Sequence, residues 1–184
     1  MVLRSNYGMA FSSKQRGVFL AMISGAAISL LLIAFGTLLN PFNFGSNLTL
    51  EAKFSVLFTS YSLLAICLTF AIARIAKHRF FSAQDIDGGG LSTGSERVVL
   101  LQSLLQNTLE QSFLATLVYA AWTILMPSTW LSVVPLAALT FFLGRVLFFI
   151  GYRRGAVGRA LGFAMCFYPS IVMLILICFV NLTS

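Results

Sequence analysis

The sequence contains little charge. Of its 184 residues, 9% are Asp, Glu, Lys or Arg, and only 5 of these are acidic. Soluble globular domains carry about a quarter charged residues, so this chain lacks the polar surface that a water-soluble protein of its size needs. A hydrophobic content of 59% is typical of an integral membrane protein, whose first partner is the lipid bilayer. The length suits four or five spanning helices of about 20 residues each.

Residues that bind metals or nucleotides are also scarce. There is one histidine, His78, and the cysteines Cys67, Cys166 and Cys178 lie in apolar runs without a C-x-x-C spacing. We therefore expect no zinc or haem site and no disulfide framework. No glycine-rich phosphate-binding motif is present. The net charge of +7 follows the positions of the basic residues around the apolar runs, so we expect no nucleic-acid partner.

Five apolar runs predict an all-α fold, a multi-pass bundle of transmembrane helices. A polar, basic segment at residues 1–16 comes first. The predicted helices cover residues 17–39, 54–73, 98–126, 130–152 and 157–180. The longest polar connection, residues 82–96, is rich in glycine, and we expect a mobile, solvated connection there rather than a substrate lid.

The basic residues predict the orientation in the membrane. If the amino terminus is cytoplasmic, eleven of the twelve Lys and Arg residues lie on or near the cytoplasmic side, and only Lys53 lies outside. Cytoplasmic ends of membrane helices carry such an excess. The compact chain and its polar-poor loops favour a bacterial inner membrane.

The third predicted helix carries polar side chains along one face. At about 100° per residue they occupy half of the helix circumference, with Glu110 central. The residues of this stripe are Gln102, Ser103, Gln106, Asn107, Glu110 and Gln111. An ionisable group inside a membrane usually faces a partner or a water-filled cavity. Arg145, on the fourth helix, lies near the same depth, and we expect it to pair with Glu110.

The order of these residues resembles the MAPEG family, the membrane-associated proteins in eicosanoid and glutathione metabolism. Asn107-Thr108-Leu109-Glu110 is similar to the N-x-x-E signature of that family. The stretch from Arg145 to Tyr152 is similar to its R-x-x-[YH]-x-x-x-Y signature, and Arg159 follows seven residues later. The resemblance implies a four-helix membrane domain at residues 54–184, to which the helix at residues 17–39 is an addition.

The resemblance also implies a homotrimer that binds glutathione as a co-substrate between protomers, near the cytoplasmic side. Asn107 and Glu110 would hold its peptide-like backbone and amino group, and Tyr152 would hydrogen-bond it. The implied catalytic residues are Arg159 and Tyr152, and the implied binding residues are Asn107, Glu110, Arg145, Gln106 and Arg97. Arginine suits this ligand because it binds carboxylates through two parallel hydrogen bonds and favours a nearby thiolate.

The sequence departs from the family pattern at three positions. Ser103 and Leu100 stand where the family usually has arginine, and Phe148 stands where it has tyrosine or histidine. Arg79 or Arg97 could supply the missing positive charge.

The leading expectation is a glutathione-dependent transferase or peroxidase that acts on lipophilic electrophiles arriving through the bilayer. Two alternatives stay open. The polar stripe could clamp helices in a non-catalytic structural or assembly protein. A small transporter could use Glu110 as a proton or cation site.

Overall fold

The chain folds into an antiparallel bundle of long helices. The computed structural model describes residues 12–89, 91 and 93–183, and these residues form five α-helices and no strand. The helices are α1 (Ser13–Ala34), α2 (Leu50–Phe80), α3 (Glu96–Leu125), α4 (Val133–Gly151) and α5 (Gly155–Thr183). A π-helical turn, Phe35–Leu39, extends α1, and two 3-10 turns, Ser128–Trp130 and Tyr152–Arg154, flank α4.

Polar caps explain why several helices begin before the predicted apolar runs. Ser12 and Gln15 form a capping box, so α1 starts at Ser13, inside the segment predicted to be polar and basic. Thr49 and Ser95 accept hydrogen bonds from the first turns of α2 and α3. Residues 1–11 of the predicted basic segment, with Arg4, lie outside the described residues.

Three segments of the described chain are long and apolar enough to cross a membrane, Ser13–Leu39, Leu50–Phe80 and Ser128–Thr183. The third contains both α4 and α5. The polar first half of α3 keeps that helix out of this set, although it packs among the others as the sequence predicts.

Close backbone contacts hold α5 against its neighbours. A side chain at Gly162 of α5 would collide with the backbone of Phe148 in α4. A side chain at Gly25 of α1 would collide with Ala164 of α5. Small residues allow such close helix crossings in membrane proteins. At one end of the bundle Gly17 lies beside Val157, and at the other the Ser132 hydroxyl donates a 2.6 Å hydrogen bond to Asn40. Helix α1 is therefore parallel to α5 and is fixed at both ends.

Most of the basic side chains that the structure describes gather at one end of this bundle. Lys14 and Arg16 lie at the start of α1, Lys77 and Arg79 lie at the end of α2, and Arg159 lies in the first turns of α5. The opposite end is marked by the indole of Trp122, which donates a 3.1 Å hydrogen bond to the carbonyl of Trp130. We call the first end the basic end.

Candidate functional site

A cavity of about 980 Å³ opens at the basic end between α3, α4 and α5. Five of the seven predicted site residues line it: Gln106, Asn107, Glu110, Tyr152 and Arg159. The polar face of α3 thus enters a cavity, as an ionisable stripe in a membrane helix requires. Arg145 lies directly behind the cavity wall, hydrogen-bonded to Asn107.

The expected pairing of Glu110 with Arg145 is wrong. Glu110 is exposed, and its Oε1 accepts a 2.8 Å hydrogen bond from Nε2 of Gln106, one turn earlier. Along the described chain, the one side-chain contact of ion-pair length joins His78 and Asp85. Glu110 therefore offers its carboxylate to the cavity, available to a positively charged group.

Arg145 is completely buried and is held by neutral groups instead. Its Nη1 donates a 2.9 Å hydrogen bond to Oδ1 of Asn107, and its Nε lies 3.1 Å from Sγ of Cys166. The Phe148 ring lies 4.4 Å from the guanidinium carbon, within the range of a cation–π contact. Because Arg145 occupies Oδ1 of Asn107, the Nδ2 hydrogens of that amide are the ones available to a ligand.

Phe148 thus has a role that the family resemblance did not predict. It stands where a tyrosine or histidine was expected, and its ring covers the Arg145 guanidinium while its edge packs on Tyr152, 5.3 Å away between centroids. It connects the buried cation to the cavity wall without a polar atom.

Tyr152 and Arg159 form the α4–α5 wall of the cavity. The guanidinium carbon of Arg159 lies 4.5 Å from the centroid of the Tyr152 ring. Stacking of this kind restrains a long arginine side chain while its N–H groups stay free for hydrogen bonds. The pair supplies a hydroxyl and a guanidinium to the cavity wall.

Arg97 is the predicted site residue that the structure does not bring to the cavity. It is exposed, and its charge acts on Arg74, near the end of α2. Arg79, the other candidate for supplying positive charge, does line the cavity, and its buried Nε has no partner among the described residues. Its position in the basic cluster at the end of α2 is the feature of the sequence that indicated this role.

Part of the cavity wall could not be predicted from the sequence. Val18 and Met22 of α1 line it, together with Phe163, Phe167 and Tyr168 of α5. Helix α1 is apolar on all sides, so its sequence does not show which side faces a neighbour. The added amino-terminal helix contributes directly to the site.

The connection between α2 and α3 is solvated along most of its described residues, as predicted, but one buried side chain anchors it. Asp85 is buried in it, and both of its oxygens accept hydrogen bonds from Ser95, 2.7 Å from the backbone nitrogen and 2.7 Å from the hydroxyl. Ser82 and His78 also contact Oδ2, at 2.8 Å and 2.9 Å. These hydrogen bonds, those from Ser95 above all, hold the pKa of the Asp85 carboxyl well below its ordinary value. The loop is fastened to the ends of both helices.

One comparison with known proteins agrees with the resemblance. Residues 56–179 match the model of the MAPEG family. No curated protein and no solved structure matches the chain. The matched residues include α3, α4 and most of α2 and α5, and they begin after α1.

Proposed function

Because the chain belongs to the MAPEG family, we propose that it is a membrane-embedded glutathione-dependent transferase or peroxidase that acts on lipophilic electrophiles. One observation carries the proposal. The cavity at the basic end gathers a carboxylate, an amide, a tyrosine and an arginine, all from the family-matching helices. These are the groups that a zwitterionic peptide with two carboxylates needs.

The distribution of charge gives each end of glutathione a partner. The Glu110 carboxylate would bind the ammonium group, and Nδ2 of Asn107 would donate to a peptide carbonyl. Arg79 would bind a carboxylate, because a guanidinium group forms paired hydrogen bonds with it, and Arg159 would lie beside the thiol. Arg145 acts as a positioning residue, since it holds the Asn107 amide and is itself buried.

The chemistry follows from a cation beside the thiol. A guanidinium stabilises the thiolate, which is the nucleophilic form. With an aryl halide, the thiolate sulfur forms a C–S bond, halide leaves and the thiol proton goes to solvent. With a hydroperoxide, two glutathione molecules are oxidised to the disulfide while the peroxide is reduced to an alcohol and water. Tyr152 and Arg159 are the proposed catalytic residues.

The apolar part of the cavity would take the electrophile. Met22 of α1 and Phe163 of α5 line it from helices other than α3, so a lipophilic substrate can lie against them while the thiolate approaches from the polar stripe. The proposal includes assembly as a homotrimer in a bacterial inner membrane. It also places the basic end in the cytoplasm, where glutathione is found.

Calorimetry of glutathione binding to the detergent-purified protein tests the proposal. We expect binding that Glu110→Gln and Arg159→Ala each weaken at least tenfold, with parallel losses of conjugation to a chloronitrobenzene. Arg154→Ala, an exposed arginine nearby outside the cavity, is the matched control and should bind normally. Absence of binding at millimolar glutathione would reject the proposal.

A non-catalytic role is the second candidate, and Arg145 favours it. This buried cation contacts Asn107 in α3 and Cys166 in α5 from its place in α4, so it clamps three helices. In a purely structural protein Arg145 variants would lose stability, and Arg159→Ala would change nothing measurable.

A further inference from the structure

A second cavity lies between α2 and α4. No residue lines both cavities, although Arg145, which holds Asn107 at the candidate site, also lines this one. Its volume is about 430 Å³. Its walls are mostly apolar and aromatic, from Ile66, Phe70, Phe142, Val146, Phe149 and Ile150. We call it the α2–α4 groove. Because a membrane surrounds this part of the bundle, the molecules that reach the groove are lipids or other apolar chains.

Arg74 lies at the end of the groove toward the basic end. Its guanidinium carbon is 5.6 Å from the Phe70 ring and 5.8 Å from the Phe149 ring, and these rings are 5.6 Å apart. The two rings hold the arginine half-buried against the groove wall. A cation is thereby fixed directly above an apolar channel.

Two further arginines add to this charge. Arg97 and Arg153 are exposed, and both lie close enough to Arg74 for their charges to repel it. In the described part of the chain none of the three forms an ion pair with a carboxylate. Three neighbouring cations without a counter-ion are unfavourable, so an anion bound between them would stabilise the folded protein.

The dimensions suit an amphiphile. Ile66 and Phe70 precede Arg74 by two turns and one turn of α2, so the apolar channel extends about 12 Å from the cation at about 1.5 Å per residue. That length accepts the upper part of an acyl chain, and basic pockets between membrane helices bind anionic headgroups. We propose that the α2–α4 groove binds an anionic phospholipid. Its phosphate lies among Arg74, Arg97 and Arg153, and one acyl chain lies along the groove.

A second copy of the chain is a poorer occupant. A copy in the same membrane orientation brings its own arginines to the same depth, which adds positive charge where negative charge is needed. A small soluble anion would satisfy the arginines but would leave the aromatic channel uncovered. An anionic lipid matches both features.

Native mass spectrometry of the detergent-purified protein tests this proposal with two probes of identical acyl chains, phosphatidylglycerol and phosphatidylcholine. We expect the wild type to retain at least fivefold more phosphatidylglycerol. Arg74→Gln, or the exposed pair Arg97→Gln and Arg153→Gln if Arg74→Gln folds poorly, should lower retention to the phosphatidylcholine level. Arg154→Gln removes the same charge from the neighbouring position and should leave it unchanged. Equal retention of the two lipids, or an equal loss in Arg154→Gln, would overturn the proposal.

Photocrosslinking separates the possible occupants. Phosphatidylglycerol with a diazirine on its acyl chain should label peptides that contain Ile66–Arg74 or Phe142–Ile150. Inorganic phosphate at 10 mM should not displace it. Labelling elsewhere, displacement by phosphate alone, or protein–protein crosslinks over the groove would each contradict the assignment. Glutathione binding does not enter these readouts, so the two proposals succeed or fail separately.

Discussion

Arg145 is a buried cation whose hydrogen-bond partners come from two other helices. Removing one member of such an arrangement leaves a buried polar group without a partner, and this costs more than removing both members. The identity of the partner therefore decides which pairs of substitutions compensate each other. The structure makes Asn107 that partner and places Glu110 about 60° further around α3.

We expect strong coupling between Arg145 and Asn107. In a double-mutant cycle, Arg145→Met and Asn107→Leu should be non-additive by about 0.5–3 kcal/mol in the free energy of unfolding. Arg145→Met and Glu110→Gln should add to within about 0.5 kcal/mol. Unfolding in mixed detergent micelles, followed by circular dichroism, measures these values. Additivity in the first cycle together with coupling in the second would contradict this assignment and show that Arg145 pairs with Glu110.

Asp85 makes the stability of the α2–α3 connection dependent on pH. Its carboxyl has a lower pKa in the folded protein than in the unfolded chain, chiefly because Ser95 donates two hydrogen bonds to it. The resulting stabilisation is complete above the ordinary Asp pKa of about 4 and is lost as the pH falls toward the lower folded value.

Asp85→Asn should accordingly lower the thermal midpoint by several degrees at pH 7 and reduce the further loss seen in the wild type below about pH 4. Differential scanning fluorimetry across this range provides the measurement. Asp87→Asn, two residues away and exposed, is the matched control and should follow the wild type. A wild type whose midpoint does not change down to pH 3 would contradict the assignment.

At the scale of elements, the added helix α1 is attached to the family-matching bundle mainly through α5. Gly25 permits a contact with Ala164 that no larger residue could make, and Gly36 lies beside Val133 at the other end. The wall formed by Val18 and Met22 depends on this attachment.

An engineered disulfide tests whether α1 packs against α5. A Cβ built on Gly17 would lie 3.6 Å from Cβ of Val157, which is within the range for a disulfide. In a Cys178→Ser background, Gly17→Cys with Val157→Cys should form an intramolecular disulfide on mild oxidation, detected by peptide mass spectrometry. Adding Gly25→Leu should abolish it, because the leucine displaces α1 from Ala164.

The control for this experiment is Gly45→Cys with Val157→Cys, since Gly45 lies near the opposite end of the bundle and has no neighbour within 4 Å. This pair should stay reduced. A disulfide that survives Gly25→Leu would show that α1 does not need the Ala164 contact.

At the scale of the whole molecule, the basic residues at the end of α2 and at the start of α5 lie at the same end of the bundle. This gives the protein two chemically different faces. Asp87 lies in the connection at the basic end, and Asn47 lies in the connection at the other end; both are exposed. Basic residues favour the cytoplasmic side, so we expect opposite accessibility at these two positions.

A membrane-impermeant maleimide should label Asn47→Cys in intact cells and Asp87→Cys only in inverted vesicles, both in a Cys178→Ser background. Mass-shift electrophoresis of the purified protein measures the labelling. The reverse pattern would place the candidate cavity on the outer face and would remove the supply of glutathione on which the proposed function depends.

Much of this organisation could be predicted from the sequence. Apolar runs predict the helices because lipid leaves few other structures possible, and the stripe with Gln106, Asn107 and Glu110 does enter a cavity. The partner of Arg145 could not be predicted, because it depends on how α4 is rotated against α3. The contribution of α1 to the cavity wall could not be predicted either, because the sequence of an apolar helix shows no preferred face.

The polar stripe of α3 also has a consequence for how the protein reaches the membrane. Helix α3 is long enough to cross a membrane but less apolar than a spanning segment, whereas the segment Ser128–Thr183 that follows it is apolar enough. The insertion machinery should therefore release α3 into lipid inefficiently when it emerges alone from the ribosome. Its stable entry should await the arrival of α4 and α5, so the candidate site assembles only late in biosynthesis.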